Sequence, residues 1–250
     1  TKKSPYSIDE CLWGKSAECG ALEDPWVEPP ADVYTWTKSP AEAPDEPQYL
    51  EIGFEKGIPV SLDGKKLGGI ELVMKMNEIA GKHGIGRIDH IENRVVGIKS
   101  REIYEAPAAI ALITAHKALE AMTMSKEQLR FKDMVSTAMS DLIYGGLWFS
   151  QFNRDLSAYV LSSQRYVSGT IRIKLFKGTL TVVGRKSPWS LYNLSLATYD
   201  KGDKFDPKNS EGFIRIWGLP VKNQAQLQLL KDKEGPLSIT GQDEGKKKGK

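Results

Sequence analysis

The sequence predicts an α+β fold, with antiparallel hairpins and a mixed sheet packed against helices. Three observations carry that expectation. Two stretches alternate apolar and polar residues around a Lys-Gly dipeptide, at Lys56-Gly57 and at Lys177-Gly178, which is how a tight β-hairpin reads. Two longer stretches open on helix-start signals, Pro107 and Ser125. No strand–helix–strand rhythm and no internal repeat runs through the chain, so a parallel α/β layer and a solenoid are excluded.

Residues 18–55 hold ten Asp and Glu against Lys38 alone, and six of the 13 prolines. Helix is disfavoured through Pro25, Pro29, Pro30, Pro40, Pro44 and Pro47. Trp26, Tyr34 and Trp36 are too apolar for a solvated linker, so the expectation is an extended segment pinned to a surface by its aromatics. Leu50, Ile52 and Phe54 then alternate up to Lys56-Gly57, and Val60 and Leu62 return toward Asp63-Gly64. A helix is expected over 70–80, with Ile70, Val73, Met74 and Met76 on its apolar face and Gly81 as its C-cap. Strands are expected over 85–91 and 95–99. The Pro107 helix should reach about Met122. Its charge-free run, 106–115, is too short for a membrane span of about 20 residues and reads as a buried helix. Ser125-Lys126-Glu127-Gln128 is a capping-box start for a helix reaching Tyr144, where Gly145-Gly146 breaks it. A shorter helix is expected over 155–164. Ile171, Ile173 and Leu175 alternate into Lys177-Gly178, Leu180 and Val182 return, and a short strand is expected over 213–217.

Composition narrows the function classes. The 250 residues carry 35 Lys and Arg against 32 Asp and Glu; without Lys246, Lys247, Lys248 and Lys250 the balance is 31 against 32. Bulk charge therefore argues for no nucleic-acid partner and no acidic membrane surface. Cys11 and Cys19 are too few for a disulfide scaffold, and no second pair completes a zinc site. No basic stretch followed by an apolar one opens the chain, so a reduced, cytoplasmic protein is expected. A start at Thr1 rather than Met suggests a processed or truncated product.

Several clusters admit both a functional and an ordinary reading. Gly81-Lys82-His83-Gly84-Ile85-Gly86-Arg87 resembles a phosphate cradle, but a strand follows where a helix should, which favours a helix cap entering a strand. His83, Asp89, His90 and Glu92 could be drawn as a metal cluster; adjacent Asp89 and His90 would face opposite sides of a strand, which argues against it. Arg172, Lys174, Arg185 and Lys186 fit a solvated hairpin face better than a binding stripe. Ser7 and Ser16 stand nine residues apart, on opposite faces of one helix or strand, and could meet only on irregular backbone; loop serines of this kind usually cap or turn. Residues 91–94 and 100–107 lead into regular elements, where binding groups concentrate and surface ion pairs are equally common.

Eight stretches together resemble argininosuccinate synthase. They are residues 4–10 and 12–16, Leu22-Glu23-Asp24-Pro25-Trp26, Ala43-Pro44-Asp45-Glu46-Pro47, residues 81–87 and 92–101, Tyr104-Glu105-Ala106-Pro107, and Glu211-Gly212-Phe213-Ile214. Cys11, Lys15 and Trp189 depart from the family's usual Asn, Arg and Tyr. The resemblance covers the C-terminal synthetase half, and the Ser-Gly-Gly-Leu-Asp-Thr-Ser loop of the family's nucleotide-binding half does not occur here.

That resemblance implies a synthetase domain over 1–222, an oligomerisation arm over 223–236 and a disordered Lys/Gly-rich tail over 237–250. The family joins citrulline to aspartate at the expense of ATP (with Mg as its counter-ion), passing through a citrullyl-adenylate in arginine biosynthesis. It implies no protein-held metal, a cytoplasmic homotetramer, and citrulline binding by Ser7, Ser16, Glu92 and Tyr104. A carboxylate suits an ammonium, and hydroxyls suit the ligand's carboxylate and ureido ends. The alternative is a non-catalytic module for oligomerisation and amino-acid binding, inactive without a nucleotide-binding half. In the arm, Ala225, Leu227, Leu229 and Leu230 offer an apolar stripe at imperfect helical spacing.

Overall fold

The computed structural model describes residues 5–198 and 204–232. By compactness the chain divides between Tyr192 and Asn193. The first unit opens on a hairpin, β1 (Ser7–Cys11) and β2 (Gly14–Glu18). Residues 19–47 follow without strands, and then come β3 (Gln48–Glu55), β4 (Ile58–Leu62) and the short β5 (Lys65–Lys66). Helix α1 (Gly69–Lys82) leads to β6 (Arg87–Asn93) and β7 (Lys99–Glu105). Three helices succeed them, α2 (Pro107–Thr123), α3 (Lys126–Tyr144) and α4 (Gln151–Ser163), before β8 (Gly169–Phe176) and β9 (Thr179–Lys186).

The strands form two sheets, ordered β1-β2-β7-β6 and β5-β4-β3-β8-β9. The α+β class stands, but every pairing among the described residues is antiparallel, so the expected mixed sheet is two antiparallel ones. Three of the tight turns are placed by their dipeptides. Lys56-Gly57, Asp63-Gly64 and Lys177-Gly178 all take positive φ at both residues, the geometry that matches strand twist in two-residue hairpins.

The main core lies between the five-stranded sheet and α1 with α2. Leu50, Ile52, Phe54, Ile171, Ile173 and Leu175 face Leu72, Met76, Ala111, Ala115 and Leu119. Pro107 occupies the first turn of α2, and the Ser125–Gln128 capping box of α3 forms in both directions.

Several local expectations need correction. On α1 the buried hydrophobic side chains are Leu72, Val73, Met76 and Ala80, whereas Ile70 and Met74 are exposed. At about 100° per residue, those two lie across the helix from the buried set. The C-terminal glycine of α1 is Gly84, at φ +75, rather than Gly81; the Gly84 amide bonds Gly81 O and the Ile85 amide bonds Ala80 O, which is a Schellman ending. Residues 95–98 are a turn rather than a strand, because Gly97 takes φ +83 and its amide closes on Arg94 O.

In the second unit α5 (Leu194–Ala197), α6 (Lys208–Trp217) and α7 (Leu219–Gln224) precede a π-type stretch, Ala225–Leu229. The strand expected over 213–217 is the end of α6. Its residues pair at helical spacing: Arg215 bonds Glu211 at 2.6 Å, and the Phe213 and Trp217 rings stack at 5.5 Å. Leu227 and Leu230 are exposed. The expected tail, 237–250, and the end of the expected arm, 233–236, lie outside the described residues.

Candidate functional site

The four-stranded sheet has one covered face and one open face, and strand alternation decides which residue goes where. Ser7 pairs Glu18, Asp9 pairs Ser16, and Ser16 in turn pairs Tyr104. Across the next ladder Tyr104 pairs Ile88, Glu102 pairs His90, and Ser100 pairs Glu92. Ser7, Ser16, Tyr104 and Glu92 therefore share the open face. Regular backbone achieves this for the two serines. A hairpin reverses the chain, so the rule for a single strand does not apply, and the expected irregular backbone is corrected. Ser7 and Glu92 remain on the two edge strands, three strand spacings or ~14 Å across the sheet and offset by two residues along it. Ser16 on β2 and Tyr104 on β7 lie between them.

Glu92 is the best-connected of the four. Tyr104 donates its hydroxyl to Oε2 at 3.0 Å, Tyr144 donates to Oε1 at 3.2 Å, and Ser100 lies 3.5 Å from Oε1. Burial first, and then the bond to Glu92, push the Tyr104 hydroxyl well above the ordinary tyrosine range, so it stays a donor. Glu102 is pushed up by burial and then by the charges of Glu92 and Glu18, while the Ser16 hydroxyl and Arg94 act against this. The open face is thus acidic, with hydroxyls between the carboxylates. A cleft of about 700 Å³ opens there, lined by His90, Glu92 and Tyr104 on the sheet and by Ser140, Asp141 and Tyr144 on α3. Such a site suits a ligand with an ammonium at one end and hydrogen-bonding groups elsewhere.

The covered face holds Lys15, Ala17, Arg101, Ile103 and Glu105, packed beneath Leu22 and Val33. Buried Glu105 accepts the amides of Thr35, Trp36 and Thr37, the Thr37 hydroxyl, and Lys15 Nζ at 3.3 Å. Arg101 pairs Asp89 at 2.6 Å and donates to the carbonyls of Asp24 and Val27. Residues 18–55 are therefore pinned by a buried carboxylate and a guanidinium. Trp26, expected to be a pin, is 95% exposed; Tyr34 contributes by lying 3.9 Å under the Arg87 guanidinium.

The other singled-out clusters serve the fold. Gly84 and Gly86, both at positive φ, carry α1 into β6 as a helix cap entering a strand. A Cβ on Gly86 would meet Pro107 N at 2.5 Å, so the turn fits only glycine. His83 is buried against Gln48 Oε1 at 3.1 Å, Asp89 faces Arg101, and His90 and Glu92 lie on the opposite side of β6. Among the described residues no three His, Cys, Asp or Glu side chains stand as a metal site. Arg172 is exposed and bonds Glu51 across the ladder; Arg185 and Lys186 are exposed.

Sequence reasoning missed Tyr144 and Glu102 as members of the site. Tyr144 was legible only as the last residue before Gly145-Gly146. Its meeting with Glu92, 52 positions earlier, is tertiary.

Among the described residues no helix is long and apolar enough to cross a membrane. The chain is 62% identical over 237 residues to an argininosuccinate synthase of Dehalococcoides mccartyi, covering 94% of this chain and 58% of that relative. It is 54% identical over 227 residues to one from Gloeobacter violaceus, covering 91% and 57%. Against one from Rubrobacter xylanophilus it is 55% identical over 227 residues, covering 91% and 56%. The chain thus spans little more than half the length of these curated relatives. Residues 6–224 match the arginosuccinate synthase C-terminal domain family. The chain belongs to that family.

Proposed function

We propose that this chain supplies the citrulline-binding and assembly half of an argininosuccinate synthase, which condenses citrulline with aspartate and converts ATP to AMP and pyrophosphate through a citrullyl-adenylate. The observation that carries the reading is the shared open face of Ser7, Ser16, Glu92 and Tyr104, in a chain so similar to enzymes of that name. Glu92 takes the citrulline ammonium, and the Ser7, Ser16 and Tyr104 hydroxyls take its carboxylate and ureido ends. Neutral hydroxyls donate to those groups without adding charge that would resist incoming phosphates. None of the four is a nucleophile or an obvious general base. The face contributes positioning, which in such reactions supplies much of the rate.

ATP, with Mg as its counter-ion, and aspartate belong to a nucleotide-binding half bearing the pyrophosphate-gripping loop, which is absent from this sequence. The protein works in the cytoplasm as a homotetramer, with residues 1–222 as the synthetase domain and 223–236 as an arm between subunits. Citrulline-dependent pyrophosphate release tests the activity. The 250-residue chain alone should release none, and adding a nucleotide-binding half should restore it. Robust turnover by the pure chain, or none after the halves are joined, would overturn the reading.

A further inference from the structure

The wall facing the open sheet is the last turn of α3, and its sequence aims three polar residues at the cleft. Ser140, Asp141 and Tyr144 fall on one helical face at i, i+1 and i+4, and all three line the cleft that holds Glu92 and Tyr104. The helix end is fixed. Gly145 N bonds Asp141 O at 2.9 Å, Gly146 N bonds Ile143 O at 3.1 Å, and Leu147 N bonds Leu142 O at 2.9 Å. Gly146 takes φ +69 to allow this, and Leu142 is buried beneath. Tyr144 is therefore delivered to the sheet by a capped helix rather than by a loose loop.

The consequence appears at Glu92. Each carboxylate oxygen receives one tyrosine hydroxyl, Oε2 from Tyr104 on the neighbouring strand and Oε1 from Tyr144 on α3. An ionised carboxylate has about four lone-pair sites, so two donors fix its plane and still leave acceptor capacity for an ammonium. Asp141 adds a second carboxylate to the same wall, which favours a cationic end and disfavours an anionic one.

We propose that Tyr144 is a positioning residue of the amino-acid site: with Tyr104 it clamps the Glu92 carboxylate between β6 and α3, so that α3 is the second wall against which the ammonium of a free amino acid is seated. This rests on Glu92 being the ammonium acceptor, as proposed above. Tyr144 acts through Glu92 and takes no part in bond making.

Two measurements on the 250-residue chain test it. Tyr144→Phe keeps the ring and removes only the hydroxyl, so the dissociation constant for L-citrulline should rise about threefold to tenfold. Tyrosine 13Cζ titration then asks whether the clamp exists without ligand. The Tyr144 hydroxyl is pushed up by partial burial first and then by the Glu92 charge and hydrogen bond, so it should titrate at lower pH in Glu92→Gln. A tyrosine out of contact with Glu92 would not respond. Unchanged citrulline affinity in Tyr144→Phe, with Glu92→Gln impaired, would overturn this inference and leave the citrulline reading intact. Identical Tyr144 titration in both proteins would overturn the clamp whatever citrulline does. If the wild-type chain takes up no citrulline, the amino-acid assignment falls, and the titration still decides the clamp.

Discussion

Glu105 Oε1 accepts both the amide and the hydroxyl of Thr37, at 2.8 and 2.6 Å. That bond explains how a Pro-rich, acidic stretch lies ordered across a sheet. Residues 19–47 form no strand and only two short 3-10 turns, Gly20–Glu23 and Ala31–Val33, so many of their backbone donors need side-chain partners. One buried carboxylate on β7 serves three consecutive amides, and its charge is balanced by Lys15.

Removing that carboxylate leaves Lys15 buried without its partner. Glu105→Gln should therefore cost about 3–5 kcal/mol. Urea unfolding checks this, and Lys15→Met in the same chain should recover part of the loss. A cost below about 1 kcal/mol would show that the covered face tolerates an unpaired lysine.

His83 predicts an acid slope above the carboxylate range. Burial, and then the neighbouring Lys82 charge, hold its imidazole below the ordinary 6.5. The unfolded chain then binds a proton that the folded chain refuses. Stability should be full above 6.5, and should fall as pH drops through that value toward the lower folded one. Asp89, held down by its bond to Arg101, loses its contribution only at still lower pH. Urea midpoints between about pH 7.5 and pH 5 should fall in the wild type and flatten in His83→Gln. Equal slopes would remove His83 from the account.

Gly86 joins the start of β6 to the start of α2. Its φ of +103 alone would cost a side chain about 1–3 kcal/mol. The Cβ would also meet Pro107 N at 2.5 Å, so Gly86→Ala should cost more than Gly97→Ala, where nothing lies within 4 Å of an added Cβ. Comparing thermal midpoints of the two variants checks the ordering, and equal midpoints would contradict it.

The arm predicts behaviour in solution. Leu227 and Leu230 are exposed, and a segment this short is marginal in water without a surface to dock on. Light scattering should find an oligomer at micromolar concentration that weakens when Leu227, Leu229 and Leu230 become Ser together. A monomeric wild type would reject the arm.

Local chemistry was the legible part of the fold. Lys56-Gly57 and Lys177-Gly178 made tight turns because few dipeptides accept two positive φ values in a row. Pro107 and Ser125 started helices because each settles orphan amides locally. Phe213–Trp217 was misread because β-branched and aromatic residues suit strands, while its Glu211–Arg215 and ring pairs count only once the helix exists. The site followed the same division. Glu92, Tyr104 and the serines came from stretches resembling a family, yet their common face depends on the β1–β2 hairpin and on register across three ladders. Tyr144 depends on where α3 ends in space, which no local pattern encodes.

Calorimetric titration of L-citrulline into the 250-residue chain, wild type and Glu92→Gln, tests the amino-acid site on the open sheet face. A charge-assisted hydrogen bond is worth about 1.5–3 kcal/mol, so saturable binding by the wild type should weaken at least about tenfold in the variant. Equal affinity in the two proteins, or no binding by the wild type, would contradict the assignment of the open sheet face.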